Sequence, residues 1–413
     1  MKLLSINTAR LHQDIADLAQ IGRGADQGIY RTAFSDADMQ ARAWLKQRIA
    51  NAGLENHEDG AGNIFARLHW TDKTPSVMTG SHIDSVPRGG HLDGVLGVLA
   101  GLECLRSLKE QNVELKRPLE SVAFTDEEGR FGGIFGSSAL CGMLTPESIH
   151  GARDLDGVTI VEAMAAQGLD AMAALNASRP AQAIHSFVEL HIEQGPVLEK
   201  REREIGVVNA IAGLFKWNIR LAGGAAHAGT TPMNMRRDAF SGLAELANEI
   251  PRIIEEHGSR SSVATIGRVE LSPGAANVVP GRVEFSIDVR DTNSDVLQQL
   301  ADAFRRTLSA IARRRELMFE FDVLSNLKPV KSDHGIMQVI ENISHEMQLS
   351  TLELPSGAAH DTGIIAQHTR AAMIFIPSKD GRSHSPAEWS SVRDIENGAN
   401  VLLNTLHQLA NQA

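Results

Sequence analysis

Ser76-Val77-Met78-Thr79-Gly80-Ser81-His82-Ile83-Asp84, continued by Gly89-Gly90-His91-Leu92-Asp93-Gly94, is the stretch around which the chain is read. Its first four residues read as a short buried strand, and residues 95–110 beyond it carry a helical pattern. Side chains able to bind a cation therefore stand where a strand ends, the edge at which open α/β sheets bind ligands. His82 and Asp84 are two apart, so in extended chain they point the same way, and the carboxylate can hold the second nitrogen of a metal-ligating imidazole. Asp93 follows on a glycine-flanked turn. A carboxylate with small neighbours can approach two cations at once, as a pair of ions about 3.5–4 Å apart requires.

A chain of 413 residues is long enough for two domains and a large core. No apolar run reaches the ~18 residues needed to span a bilayer, so no membrane partner is expected. Residues 1–10 lack the charged-then-apolar order of a secretory signal, which points to the cytoplasm. The two cysteines, Cys104 and Cys141, fit a reducing compartment and have no paired metal-binding spacing. A formal net charge of -11 argues against a nucleic-acid partner. It leaves the substrate open, because local positive groups can still bind an anion.

Residues 4–21 and 35–54 have helical periodicity, the second opening with Ser35 and Asp38 in a capping-box-like spacing. Residues 63–70 read as a strand after the turn Gly60-Ala61-Gly62. Residues 121–125 form another short apolar strand and end on Asp126-Glu127-Glu128-Gly129, and residues 187–191 end on His191-Ile192-Glu193-Gln194-Gly195. From about residue 211 the pattern changes. A strand alternates over 215–221, a helix follows over 236–257, strands over 262–271 and 282–291, a helix over 294–317 and a strand over 318–324. That order, β-α-β-β-α-β, matches the ferredoxin-like split unit, which can fold as a compact insert. The expectation is an α/β protein in which residues 1–210 and 330–413 make one discontinuous domain around an inserted domain, 211–329.

Hard or borderline ligands thus stand at the ends of separate elements: His82 with Asp93, Glu128, His191, and His384 in Ser383-His384-Ser385-Pro386. Three imidazoles and two carboxylates suit two divalent ions, each with nitrogen and oxygen donors and an open position. Glu127 lies beside Glu128, where adjacent side chains diverge. One carboxylate can ligate while its neighbour stays free as general base for an attacking water.

These strings, with His227-Ala228-Gly229-Thr230-Thr231-Pro232-Met233, Asn277-Val278-Val279-Pro280-Gly281, Ile287-Asp288-Val289-Arg290 and Ser356-Gly357-Ala358-Ala359-His360-Asp361, follow one another in order over nearly the whole chain. Together they resemble the dinuclear-metal amidohydrolases that cleave N-carbamoyl compounds. That family contains N-carbamoyl-L-amino-acid hydrolases, β-ureidopropionases, ureidoglycolate hydrolases and allantoate amidohydrolases, and it is related to aminoacylases and metallopeptidases. The resemblance implies that His82 and His191 bind one ion, that Glu128 and His384 bind the other, and that Asp93 bridges. It implies that Glu127 is the general acid/base and Asp84 the partner of His82. It places Gln194, His227, Asn277, Arg290 and Gly357 on the substrate side, with the inserted domain as lid and dimerisation element of a homodimer. The turn after the acidic triplet departs from the family's usual form, with Gly129-Arg130-Phe131-Gly132-Gly133 shorter by sequence and Asp126 in the first position.

The residue types support those roles. A ureido carbonyl is a poor electrophile because two nitrogens donate into it, so its oxygen must be polarised and hydroxide supplied. His227, on a Gly-rich turn, can donate to the oxyanion, and the planar guanidinium of Arg290 suits a substrate carboxylate. The expected substrate is a small ureido or carbamoyl carboxylate, foremost an N-carbamoyl-L-amino acid, with allantoate or ureidoglycolate as rivals on the same site. An aminoacylase or dipeptidase would release no ammonia. A metal-free binding module is opposed by the presence of every expected ligand. The expected cofactor is two divalent ions per chain, zinc foremost, with manganese, cobalt or nickel also suited to mixed imidazole and carboxylate donors.

Overall fold

In the computed structural model, which describes residues 3–412, Ser76–His82 is a strand with every residue buried. Burial on both faces is what a strand inside a parallel, helix-covered sheet requires. Met1, Lys2 and Ala413, which the expected domain limits include, lie outside the described residues. The strand runs three residues past the apolar run that signals it, because its ladder with Leu119–Phe124 continues to the pair His82 and Phe124.

The sheet has nine strands in the order Glu55–Glu58, Ile64–Leu68, Leu119–Phe124, Ser76–His82, Ile184–Ile192, Ala371–Ile376, Ile205–Ile211 and Val330–Lys331, with Thr351–Ser356 also paired to Ile205–Ile211. The four strands from Leu119–Phe124 to Ala371–Ile376 are mutually parallel, so their carboxyl ends share one edge. The outer pairs are antiparallel, which makes the sheet mixed. On one face Thr8–Leu18, Val95–Glu110, His334–Glu346 and Val392–Asn411 bury a continuous aliphatic core. On the other, Phe65, Met78, Phe124 and Phe187 pack against Leu140 and Ile365 from two short helices. Among the described residues no helix is long and apolar enough to cross a membrane.

Capping residues account for the helix starts. The first helix begins at Thr8 rather than at residue 4, because Leu4 and Ile6 donate their N–H to Asn404 and Asn400 of the last helix, both at 2.9 Å, and Asn7 caps. Ser35 accepts from Asp38 N at 3.2 Å, while the Asp38 carboxylate returns to Phe34 N at 2.9 Å, one residue earlier than a capping box would place it. Ala239–His257 begins three residues after the expected start, where Asp238 accepts from Phe240 N and Ser241 N.

The chain divides into two compact units. One comprises the chain up to Asn209, Lys331–Leu354 and the chain from His360 onward, and the other Ala210–Val330 with Pro355–Ala359. The short segment Pro355–Ala359, expected with the last part of the larger domain, groups with the smaller unit. There Ala212 N donates to Ser356 O at 2.9 Å and Arg290 Nη1 to Gly357 O at 2.8 Å. The smaller unit is an antiparallel sheet in the order Met318–Leu327, Gly213–Ala222, Arg282–Asp291, Val263–Ser272. Ala239–His257 and Ser294–Arg314 cover one of its faces, over Trp217, Ile219, Phe285 and Ile287. Alternate residues of Arg282–Asp291 are buried, as a sheet covered on one face demands.

Val95–Glu110 is buried from Val95 through Leu108, and it sits close to the strands beneath because two of its residues lack side chains. A Cβ on Gly97 would lie 2.5 Å from Leu190 O and 2.8 Å from Ser81 Cβ. Gly97→Ala is therefore expected to destabilise by about 1–3 kcal/mol through overpacking, although alanine is otherwise the better helix former. Gly151→Ala, where a Cβ meets nothing within 4 Å, is the control. Equal midpoints for the two variants in denaturant unfolding would show that the helix has room to shift.

Candidate metal centre

Each candidate donor is delivered near the carboxyl end of one of the parallel strands. His82 is the last residue of Ser76–His82 and His191 the penultimate residue of Ile184–Ile192. Glu127 and Glu128 occupy the turn after Leu119–Phe124, and His384 lies in the loop after Ala371–Ile376. Asp93 arrives just ahead of the helix Val95–Glu110. Its Oδ1 faces His191 Nε2 at 3.1 Å and His82 Nε2 at 3.8 Å. Its Oδ2 faces His384 Nε2 at 3.2 Å, and that nitrogen is 3.5 Å from Glu128 Oε2. Two donor groups result, His82 with Asp93 and His191, and Asp93 with Glu128 and His384, each compact enough to hold an ion. Glu127 Oε2 stands 3.5 Å from His82 Nε2.

The surroundings orient these donors. His191 Nδ1 is 2.8 Å from Ile192 O and His82 Nδ1 is 3.0 Å from Asp84 O. Carbonyl partners place the ring proton on Nδ1 and leave Nε2 to a cation. The Asp84 carboxylate was expected to hold the His82 ring, but it lies 3.7 Å from Nδ1. It accepts instead from Glu127 N at 3.3 Å and Glu128 N at 3.1 Å. The main-chain donors of a tight turn need acceptors, and a carboxylate with two oxygens answers both. Asp84 thus ties the acidic turn to the His82 strand through its side chain and orients the ring through its backbone. The helix after Asp93 starts on Gly94, with φ +65° and the His82 ring so close that a Cβ would lie 2.4 Å from it.

Two residues not singled out from sequence complete the support of Asp93. Ser383 Oγ donates to Asp93 Oδ2 at 2.6 Å and also lies 2.9 Å from Glu388 Oε2. Glu388 Oε1 accepts from Leu92 N at 2.7 Å and Asp93 N at 3.0 Å. Both lie within five residues of His384, the one local signal that pointed to them. Gln194, expected on the substrate side, donates from Nε2 to Asp93 Oδ2 at 2.7 Å, while its Oε1 is buried without a partner. A third group, Glu189 with His191 and His360, is also compact. Its carboxylate, however, is engaged by Ser81 Oγ at 2.6 Å and by Thr362 N at 3.1 Å.

The electrostatics call for cations. Burial, then the charges of Glu128, Asp361, Asp84 and Asp93, push the Glu127 carboxyl well above the usual range. Burial and the Asp93 charge push Glu128 up to about 8. Burial alone would lower His191, yet its hydrogen bond to Asp93 and the carboxylate charge raise it to about 9. His384 is likewise raised to about 9, first by its hydrogen bond to Asp93. Both shifts have the same physical cause, the Asp93 carboxylate favouring positive charge on the imidazoles beside it. A mixed imidazole and carboxylate set with a shared acid suits divalent ions.

The remaining candidates lie in or with the smaller unit. His227 pairs with Val278 in a two-residue ladder, and Asn277 O accepts from Ala228 N at 2.9 Å, so His227 and Asn277 are neighbours. His227 Nδ1 accepts from Gly229 N at 3.0 Å and Thr230 N at 3.3 Å, which leaves an exposed Nε2–H as donor. Arg290 is already engaged. Its Nε and Nη2 grip Asp288 at 2.8 and 3.1 Å, and Nη1 donates to Gly357 O, so an incoming carboxylate meets only the Nη edge.

Residues 78–408 match the sequence profile of peptidase family M20/M25/M40. The chain is 40% identical to an N-carbamoyl-L-amino acid amidohydrolase of Geobacillus stearothermophilus, over 98% of this chain and 99% of that protein. It is 36% identical to an allantoate amidohydrolase of Bacillus subtilis (strain 168), over 95% of each. The crystal structure of an amidase of the hydantoinase/carbamoylase family from Burkholderia multivorans superposes with a TM-score of 0.88 at 35% identity, covering 99% of both chains.

Asp93→Ala removes the acid common to both donor groups. Divalent metal in the purified protein is expected to fall from about two ions per chain to well below one. Ser383→Ala keeps every donor and is expected to weaken metal affinity about 10–100-fold. Two tightly held ions in Asp93→Ala would refute the sharing.

Proposed function

Because the chain belongs to peptidase family M20/M25/M40, and its relatives over the full length include amidohydrolases, we propose that it hydrolyses the ureido group of an N-carbamoyl-L-amino acid to the free amino acid, carbon dioxide and ammonia. It is a hydrolase of carbon–nitrogen bonds other than peptide bonds. The observation that carries the hydrolase reading is the pair of donor groups sharing Asp93, with the Glu127 carboxylate beside them, and the substrate reading is supported by the full-length similarity to an N-carbamoyl-L-amino acid amidohydrolase. Two divalent ions, zinc foremost, held by His82, Asp93 and His191 and by Asp93, Glu128 and His384, supply Lewis acidity for a carbonyl that two nitrogens deactivate.

The chain's own groups carry the remaining steps. Glu127 takes a proton from the attacking water and returns it to the leaving nitrogen. Asp84, which binds Glu127 N and Glu128 N, holds both carboxylates in register with His82. His227 Nε2–H and the amide of Asn277 donate to the oxyanion and the ureido group. The free Nη edge of Arg290, pre-set by Asp288 and Gly357 O, holds the substrate carboxylate, and Gln194 keeps Asp93 oriented. The proposed setting is a cytoplasmic homodimer, paired through edge strands of the four-stranded sheet, whose inserted unit serves as lid.

Three measurements test the reading. Glu127→Gln is expected to keep its metal and lose about 10²–10⁴-fold in kcat, because an amide cannot take the proton. Loss of metal in that variant would make Glu127 a ligand instead. Ammonia release from N-carbamoyl-L-amino acids, allantoate and ureidoglycolate, each assayed with zinc, manganese, cobalt and nickel, is expected to be fastest for an N-carbamoyl amino acid. Preference for allantoate would assign the chain to the activity named for its Bacillus relative, and acyl-amino-acid cleavage without ammonia would reject both. Arg290→Lys keeps the charge but removes the planar fork. It is expected to cut kcat/KM for carboxylate substrates at least about tenfold, with metal content unchanged. A variant that still distinguishes acid from amide as the parent does would move that role to another residue.

A further inference from the structure

A cavity of about 650 Å³ opens beside Glu128 within the larger unit. Its walls come from residues 32–36, Ser85-Val86-Pro87, Glu128-Gly129-Arg130, the loop of residues 154–158 and the helix Ile160–Ala166. Several polar side chains of the lining are engaged by hydrogen bonds. Arg130 donates from Nε and Nη2 to Asp154 Oδ2, both at 3.2 Å, and from Nη1 to Ala33 O at 2.7 Å. Asp154 Oδ1 accepts from Asp156 N at 3.0 Å and Val158 N at 2.9 Å. Glu162 closes a capping box on Thr159, and Gln167 Nε2 reaches Phe34 O and Asp36 Oδ1, both at 3.3 Å.

The apolar side chains of the lining that are at least partly exposed are Val86, Pro87, Leu155, Val158 and Ala166, and they stand among carboxylates on the same walls. Leu155 is the telling member. It stands on a loop closed by Asp154 N to Val158 O at 2.9 Å and Gly157 N to Asp154 O at 3.0 Å, yet its side chain is fully exposed, at 107% of the reference area. An ordered loop that holds an apolar side chain against a cavity, uncovered by the rest of the chain, gains burial only when something apolar enters. The charge on the walls is one-sided. Asp36, Glu128, Asp154, Asp156 and Glu162 face a single cation, Arg130, so an anionic group is disfavoured there.

We propose that this cavity receives the side chain of the N-carbamoyl amino acid and selects a large apolar one, with Leu155 as a specificity-determining residue. The assignment rests on the ureido-hydrolase reading given above. A volume of about 650 Å³ falls in the range of small-molecule sites, with room for a branched or aromatic group. Glu128, which lines the cavity and belongs to one of the donor groups, places that group next to the donor cluster, as a substituent one carbon from the scissile ureido nitrogen must be.

The metal-loaded enzyme, Leu155→Asp and Ala166→Trp are compared by ammonia release from N-carbamoyl derivatives of glycine, L-leucine, L-phenylalanine and L-aspartate. Both positions are exposed, so both substitutions spare the core. The parent is expected to favour leucine and phenylalanine over glycine by at least about tenfold in kcat/KM, with aspartate poorest. Leu155→Asp should reduce the leucine-to-glycine ratio at least about tenfold, and Ala166→Trp the phenylalanine-to-glycine ratio, with the glycine derivative turned over within about twofold of the parent. Unchanged ratios in both variants, proportional loss on every substrate, or a parent preference for aspartate would overturn the cavity assignment while the ureido-hydrolase reading stood. Absence of ammonia from every N-carbamoyl amino acid would overturn that reading and the cavity assignment with it.

Discussion

The carboxylate of Asp93 presents one oxygen to His191 and His82 and the other to His384, and so large a share of the surrounding fold is arranged to hold that single group in place that it sets the geometry of the whole centre. Its backbone N–H is bound by Glu388, its Oδ2 by Ser383 and Gln194, and its chain turns at once into the buried helix Val95–Glu110. A shared acid must be fixed in both position and rotation, because a swing of its plane that favours one donor group spoils the other. Three separate segments, those of His82, of His191 and Gln194, and of residues 383–388, therefore converge on it, and the glycine after it lets the His82 ring approach the main chain.

The same convergence concentrates negative charge. Asp84, Asp93, Asp126, Glu189 and Asp361 are buried together near the carboxyl edge of the sheet, and Glu127 and Glu128 stand beside them. Such a cluster is tolerated when main-chain N–H groups, hydroxyls and cations offset it. Asp84 and Glu388 take two main-chain donors each, and Glu189 takes one with two hydroxyls. Asp93 takes Ser383 Oγ and Gln194 Nε2 on Oδ2, while its Oδ1 faces the imidazoles of His191 and His82. Folding of this edge and occupancy of the donor groups are thus linked, since ions that bind only the native arrangement stabilise it.

The smaller unit follows a different economy. Its buried face is aromatic and aliphatic, and its polar candidates are positioned by short hydrogen bonds to their own neighbours. The turn amides Gly229 N and Thr230 N choose the tautomer of His227. Asp288 and Gly357 O settle the direction of the Arg290 guanidinium, which leaves one edge open. In both cases a flexible side chain is reduced to a single orientation, which lowers the entropy lost when a ligand binds.

The sequence by itself determined the α/β class and the strands that end in His82, the acidic turn and His191, and it named five candidate donors, because those features reside in local periodicity and in residues close together along the chain. It also marked the β-α-β-β-α-β order between residues 211 and 329. It named Asp84 beside the His82 ring but expected its carboxylate where the carbonyl stands, and it left Ser383 and Glu388 without roles. Only the tertiary structure decided those points. Glu388 lies 296 residues from Leu92, whose N–H it binds, and Ser383 lies 290 from Asp93. Whether a carboxylate turns to an imidazole or to the amides of another loop depends on which unpaired donors that loop brings near, and the loop's approach is set by the packing of the sheet rather than by spacing along the chain. The cavity beside Glu128 belongs to the same class of fact, since the engagement of Arg130 by Asp154 and Ala33 O exists only once three distant segments have met.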